Sequence, residues 1–405
     1  MRAMIRKLVI LIPLLNAGVI HSAEWKIDPA IQFEAGYNDN VRLSIDDKVS
    51  STQASLSPSA VFSVETPRSR LDGNLRFDFR RYEESSNLDE NNVRFNVNSF
   101  RRMERSQIGL NMGITKDTTL DSQLEDTGLV LGRVKRVRLN GGPNWAYNID
   151  ERTQASLSYN YSDVQYKNAG GTGLVDFRIH SAQTSLQRIL NERITASTTL
   201  SYSQTDNDND AESKNINLQG GASYRFSETL SASLFVGMRR TKTDFSQNSL
   251  IPIFSGDTVI GFIPLTQDVS NSSSGYTFSS SIDKSFLRGK TGITASQNIS
   301  NSTNGAPVQV TRLGWDNQYR FTETLTTSLS AEYYSSETEN SVNTNLNRDY
   351  YVIRPGVAWK FRKFWRISGH YRYRKQTFNN TGDAATQNVA YLTLTYDWPR
   401  IAASR

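Results

Sequence analysis

The sequence predicts an all-β protein: an up-and-down antiparallel transmembrane β-barrel of about 18 strands. The first observation behind this is a repeated hairpin with one apolar face. Ile216, Leu218, Gly220, Ala222, Tyr224 and Phe226 lead into Ser227-Glu228-Thr229, and Leu230, Ala232, Leu234, Val236 and Met238 lead out. Alternation of period two places those side chains on one side of a strand long enough to cross a bilayer at a tilt. Leu313, Trp315, Tyr319 and Phe321, then Thr322-Glu323-Thr324, then Leu325, Thr327, Leu329, Ala331 and Tyr333 repeat the unit, down to the Tyr-Arg-Phe-Ser/Thr-Glu-Thr-Leu core at 224–230 and 319–325. A looser version runs from Leu139 to Tyr147 and from Thr153 to Tyr161. Hairpins with one greasy face must close into a barrel, because an open sheet edge in lipid leaves backbone groups unpaired.

The second observation is composition. With 37% hydrophobic residues and no cysteine in 405 residues, both an ordinary soluble core and a disulfide scaffold are poorly supported. Residues 1–23 read as a secretory signal, with Arg2, Arg6 and Lys7 before the apolar run Leu8 to Ile20; residues 24–405 are then one barrel domain. The apolar run is too short to span as a helix. Losing its three basic residues halves the formal charge of +6, so overall basicity is a weak argument for an acidic partner, and no nucleic acid is implied.

Taken in order, alternating runs place strands at Ile31–Tyr37, Ala54–Val64, Leu71–Phe79, Val93–Val97, Ile108–Ile114, the pair 139–147 and 153–161, Ala182–Leu186, Ile194–Tyr202, and the pair 216–226 and 230–238. Further runs follow at Tyr276–Ile282, Ile293–Ile299, the pair 313–321 and 325–333, Tyr351–Trp359, Ile367–Tyr373 and Leu392–Trp398. The eighth is the weakest, because His180 and Arg188 share its outward register. Connections after even strands are short and those after odd strands long, such as 115–133 and 239–275. Short turns face the periplasm and long loops the outside, which puts both ends of the barrel in the periplasm of a bacterial outer membrane. Trp145, Tyr147, Trp359, Trp365 and Trp398 near strand ends suit an interfacial girdle in contact with outer-membrane lipid.

If the apolar register faces lipid, the alternate positions face the lumen. There the sequence puts Arg76, Arg80, Arg94, Arg136, Arg138, Arg354, Arg366, Arg372 and Arg374, with His370 among the last three. Rings of arginine favour anions, since the guanidinium fork donates two parallel hydrogen bonds to carboxylate or phosphate. The alternative is that they brace the wall by pairing with Glu34, Asp72, Asp78, Asp316 and Glu332. Luminal Asn74, Asn140, Asn144 and Tyr334 offer sugar contacts. In the 239–275 connection, two apolar runs around Ser255-Gly-Asp-Thr258 predict a small hairpin. It either caps the rim or folds into the mouth, with Ile251, Phe254, Ile260 and Phe262 as the constriction residues.

The ending Gly36-Tyr37-Asn38-Asp39-Asn40-Val41 of the first strand, the repeated hairpins and the length resemble the β-barrel porin 2 family, including barrels of the EpsL kind from exopolysaccharide operons. Alginate-export porins are similar in architecture. The resemblance implies a channel exporting a secreted, anionic exopolysaccharide, with the polymer as substrate and periplasmic export proteins as partners. A general small-solute porin and a non-conducting structural barrel of an export machinery are the alternatives. Leu392, Leu394, Tyr396 and Trp398 are similar to the closing-strand signal read by the barrel-assembly machinery, although here the chain continues to Arg405.

Catalysis, metal and cofactor are not expected. The segment after the signal has two histidines, His180 and His370, and His370 is the only candidate base. Asp206-Asn-Asp-Asn-Asp210 lacks the glycine and bidentate glutamate of a calcium loop. Ala169-Gly-Gly-Thr-Gly173 lacks the Lys-Ser/Thr of a phosphate loop.

Overall fold

The structure, a computed structural model, describes residues 23–404 except 84–85, 120–133, 169–173, 256–257, 302–306 and 339–346. The expected signal at 1–23 lies outside the described residues but for Ala23. Each predicted strand is present. They are β1 (Glu24–Asn38), β2 (Ser51–Glu65), β3 (Ser69–Tyr82), β4 (Glu90–Arg102), β5 (Ser106–Thr118), β6 (Lys135–Asn148), β7 (Thr153–Lys167), β8 (Phe177–Ile189) and β9 (Ile194–Asn207). The second half holds β10 (Glu212–Ser227), β11 (Leu230–Ser255), β12 (Thr258–Phe286), β13 (Gly289–Asn301), β14 (Pro307–Arg320), β15 (Leu325–Thr338), β16 (Arg348–Arg362), β17 (Trp365–Phe378) and β18 (Ala384–Asp397). All pair antiparallel with their neighbours in sequence, and β1 closes on β18 from Ala30↔Asp397 to Asn38↔Val389. The barrel has 18 strands, as the sequence predicts. A strand of 14 residues rises about 46 Å, or about 35 Å along the axis at barrel tilt, enough to cross the hydrocarbon core.

The apolar register faces out. Leu234 (56%), Val236 (57%) and Met238 (66%) are among the most exposed apolar residues. On this side a lipid solvent, rather than other side chains, covers them. Aromatic pairs collect where the strands meet the short turns: Tyr224 with Phe226, Tyr319 with Phe321, Trp145 with Tyr147 and Tyr396 with Trp398. The two repeated turns close by the same device, a hydroxyl taking the backbone N–H three residues on. Ser227 Oγ accepts from Leu230 N at 3.1 Å and Thr322 Oγ1 from Leu325 N at 2.9 Å. In the 149–152 turn the Asp150 carboxylate accepts from the Arg152 amide, which holds its pKa below the usual value. On the weak eighth strand, the His180 ring is accommodated on the outer face by the Tyr159 hydroxyl at 2.7 Å from Nδ1 and by contact with Tyr161.

One expectation is corrected. The 239–275 stretch is not a loop: β11 and β12 pair from Leu230↔Lys284 to Ser255↔Thr258, with one bulge between Ile253 and Phe254. Its inner part forms the wall with β10 and β13, whereas beyond Asp244 on β11 and Phe278 on β12 the two strands are paired with each other. Alternation continues past the membrane in a ladder of backbone hydrogen bonds, so the apolar runs around residue 256 sit at the tip of a long hairpin. The end of the chain adds to the seam. After Trp398-Pro399-Arg400, residues Ile401–Ser404 form a short β19 on β1 (Ile27↔Ile401 to Glu24↔Ser404), and Arg400 holds Asp28 through two bonds of 2.7 and 2.9 Å. Beyond Trp398, these residues pair with the start of β1.

Among the described residues, the 39–50 connection between β1 and β2 enters the mouth. Asn40 is fully buried, donating to Ser44 O (2.8 Å) and Thr386 O (2.9 Å) and accepting from Ser44 N (3.0 Å). Asp39 receives both the backbone and the side-chain N–H of Asn388 at 2.7 Å. The Asn38-Asp39-Asn40 motif is therefore a clamp on β18. It turns the following residues inward, with Leu43 at φ 50°, a left-handed conformation rare for a branched side chain. Leu43 and Ile45 pack on Val308, Val310, Tyr334, Tyr350, Val352 and Ala385 from β14, β15, β16 and β18, and Val41 packs on Tyr82 and Leu88. These strand residues lie on the luminal register, where polar residues prevail lower down. Apolar side chains inside the outer mouth are stable only with an apolar cover, which the loop supplies.

Candidate functional site

Register sets the site. On the inner wall of β3 to β6, cross-strand neighbours form rows across the lumen surface. Asn74, Asn96, Gly113 and Asn140 make one row, and Arg76, Arg94, Thr115 and Arg138 make the next row toward the outside. Asp78 lies opposite Asn92, and Asp117 opposite Arg136, one step further out; Arg80 lies opposite Glu90 beyond that. From β17, Arg372 and Arg374 reach the same space. The result is a cavity of about 460 Å³ lined by seven arginines, Arg76, Arg80, Arg94, Arg136, Arg138, Arg372 and Arg374, against two acids, Asp78 and Asp117.

Some of these cations are braced. Arg136 makes a buried bidentate pair with Asp117, both bonds 3.0 Å. Arg80 sits 3.6 Å from both Asp78 and Glu90. Arg372 donates to the Tyr391 hydroxyl at 2.8 Å and stacks on its ring, and Arg138 donates to Ser162 at 3.3 Å. Arg76 and Arg94 are different. They face each other directly across β3 and β4, and neither has an ion-pair partner among the described residues. Like charges placed opposite one another destabilise a sheet, and an anion held between them relieves the repulsion.

The predicted residues thus divide. Seven of the nine arginines converge, whereas Arg354, Arg366 and His370 do not join them. Arg354 pairs with Glu332 at 3.0 Å, the bracing alternative, and with His370 it lines a separate cavity of about 610 Å³ that also holds Asp283, Lys290 and Asp316. The His370 ring lies over Gly356, its direct cross-strand partner, where a Cβ would meet Nδ1 at 2.6 Å. Arg366 is exposed at the periplasmic end of β17. Among the other proposed bracing acids, Asp72 holds Arg70 at 2.7 Å and Glu34 accepts from Thr393 at 3.2 Å. Sequence reasoning missed Asp117 and Glu90. Both continue the luminal register at the outer strand ends, and extending the alternation by one step on β5 and β4 finds them. Ile260 is exposed near the hairpin tip, and Leu392 and Trp398 face outward at the β18 seam.

A closed barrel with an apolar outer belt, aromatic strand ends and a polar, charged lumen satisfies the physics of the bacterial outer membrane. The chain is an outer-membrane β-barrel. No family model matches it, and no curated protein matches it. Among solved structures, the open form of the ferric-catecholate import receptor Fiu from E. coli K12 aligns with a TM-score of 0.50 at 8% identity, covering 92% of this chain and 82% of that one. Acinetobacter baumannii OccAB2 gives 0.46 at 8% identity, covering 92% and 98%, and Pseudomonas aeruginosa OccK5 (OpdH) gives 0.43 at 11% identity, covering 93% and 98%. At such identities the likeness is one of fold alone.

Proposed function

We propose that this barrel is an outer-membrane channel selective for anions, and that its cargo is a secreted anionic exopolysaccharide. The observation that carries the selectivity is the arginine cavity, above all the facing pair Arg76 and Arg94, which have no counter-ion among the described residues. Barrels of this strand number leave an aqueous lumen, and the cluster makes that lumen electropositive where it is lined from both β3–β6 and β17. The amide row of Asn74, Asn96 and Asn140 beside the arginines suits hydroxyl groups, because an amide both donates and accepts. The polysaccharide reading also draws on the resemblance to EpsL-like barrels of the β-barrel porin 2 family. In this reading the barrel-assembly machinery recognises Leu392, Leu394, Tyr396 and Trp398, and periplasmic export proteins deliver the polymer to the short-turn end.

Deletion of the gene tests the cargo. Loss of acidic surface polymer with unchanged growth on small nutrients is the expected result. Intact polymer with impaired uptake of small anions overturns it in favour of a general porin.

A further inference from the structure

The charges outside the arginine cavity are not spread evenly along the barrel axis. At the periplasmic end, Arg102, Arg225, Arg320, Lys360, Arg362 and Arg366 are all exposed, and all but Arg362, which a bulge pairs with the outward Trp365, occupy luminal register positions, alternating with lipid-facing residues such as Tyr224, Phe226, Tyr319 and Phe321, while Glu104, Glu151, Glu192, Glu228 and Glu323 are exposed on the turns below them. None of the six carries a salt bridge among the described residues. The connections at the outer end have the opposite sign among the described residues, although Arg42 and Lys48 are exposed on 39–50, Arg178 lies 3.7 Å from Asp208, and Arg81, Lys116, Lys135, Lys167 and Lys242 are exposed on the outward register of the strand ends. Asp46, Asp47, Glu83, Asp208, Asp210 and Asp383 are exposed on the connections there. Connections 83–89, 208–211 and 379–383 contain acids and no base among the described residues.

We propose that this separation makes the channel a rectifier that passes anions outward more readily than inward. This rests on the reading of the barrel as an anion channel. The two ends stand about 35 Å apart, several Debye lengths at 0.1 M salt, so each rim acts on the ions near it without being cancelled by the other. When the periplasmic side is negative, anions enter from the basic rim and cations from the acidic rim. Each rim enriches the carrier that enters there, and conductance rises. With the opposite polarity, each carrier must enter past a rim of its own sign, and the lumen is depleted. For an anionic chain the consequence is directional. The basic rim collects it from the periplasm, the arginine cavity receives it, and the acidic rim repels its return.

The test is the current–voltage curve of the full barrel in a planar bilayer with symmetric KCl. The chain has no cysteine, so a single Asn209→Cys variant, treated from one side with an impermeant thiol reagent, reports which way each channel has inserted. At about 0.1 M salt, current with the periplasmic side negative should exceed the reverse by about two-fold, and at about 1 M the asymmetry should vanish. The combined Arg225→Glu, Arg320→Glu, Lys360→Glu and Arg366→Glu variant should lose or invert it. The salt dependence of the unmodified channel provides the same test should that variant fail to fold. Symmetric current at low salt, or asymmetry unchanged in the folded variant, overturns the rectifier. Reversal potentials under a salt gradient keep the two claims apart. Symmetric current through an anion-selective pore refutes rectification alone, while cation preference or absence of current refutes the anion channel beneath it.

Discussion

Replacing Asn40 with Ala should release the 39–50 segment from the mouth while leaving the barrel standing. Asn40 is fully buried and its amide makes three hydrogen bonds of 2.8 to 3.0 Å, two to Ser44 and one to Thr386 on β18. At about 1 kcal/mol net for each bond lost, the seated conformation loses about 3 kcal/mol, which raises the population of the unseated segment about 100-fold. The barrel seams are untouched, because Asn40 lies beyond the end of β1. In the cysteine-free background, Leu43→Cys places a thiol at a position only 6% exposed, packed against Val308 and Tyr350. Its reaction with a water-soluble thiol reagent should be slow alone and about 100-fold faster when Asn40→Ala is added, with single-channel conductance rising in parallel. Equal labelling rates in the two backgrounds would refute the view that the Asn38-Asp39-Asn40 clamp holds the segment in the mouth.

Three further outcomes follow from the same geometry. Asp117→Ala strips the buried Arg136 of its bidentate partner, and the urea midpoint of the barrel should fall by the equivalent of about 3 kcal/mol while anion preference rises. Removing residues 250–265 shortens a hairpin whose ladder runs past the wall, so assembly and conductance should stay near the unmodified values; increased conductance would instead favour Ile251, Phe254, Ile260 and Phe262 as the constriction. Trp398→Ala removes the outward aromatic at the β18–β19 junction and should slow membrane assembly, read as the fraction of heat-modifiable barrel at early times in a reconstituted assembly assay.

Strand positions and the lipid-facing register were legible because both rest on period-two alternation, which lipid on one side and water on the other impose locally. The Tyr-Arg-Phe-Ser/Thr-Glu-Thr-Leu repeat marks two turns that the structure closes with the same type of hydroxyl contact. The arginine cavity was legible in part. Alternation assigns Arg76, Arg94 and Arg372 to the lumen, but which of them meet depends on register between strands and on which walls approach each other. That is why Arg354 and Arg366 were grouped with Arg372 and Arg374 although they sit elsewhere. The 39–50 segment in the mouth is not legible from alternation. Loop 39–50 looks polar, and the apolar seat it covers is scattered over β14, β15, β16 and β18 on positions that break the expected luminal polarity. Val308 and Val310 were the available signal: two apolar residues on the wrong face of an otherwise regular strand call for a cover.

The most direct measurement of the central claim is the reversal potential of the reconstituted barrel in a KCl gradient, compared with that of Arg76→Gln/Arg94→Gln. The account predicts anion preference in the unmodified channel and a marked shift toward neutrality in the double variant, with Arg80 and Arg136 left in their ion pairs. A cation-preferring channel, or a potential unmoved by the two substitutions, would contradict it.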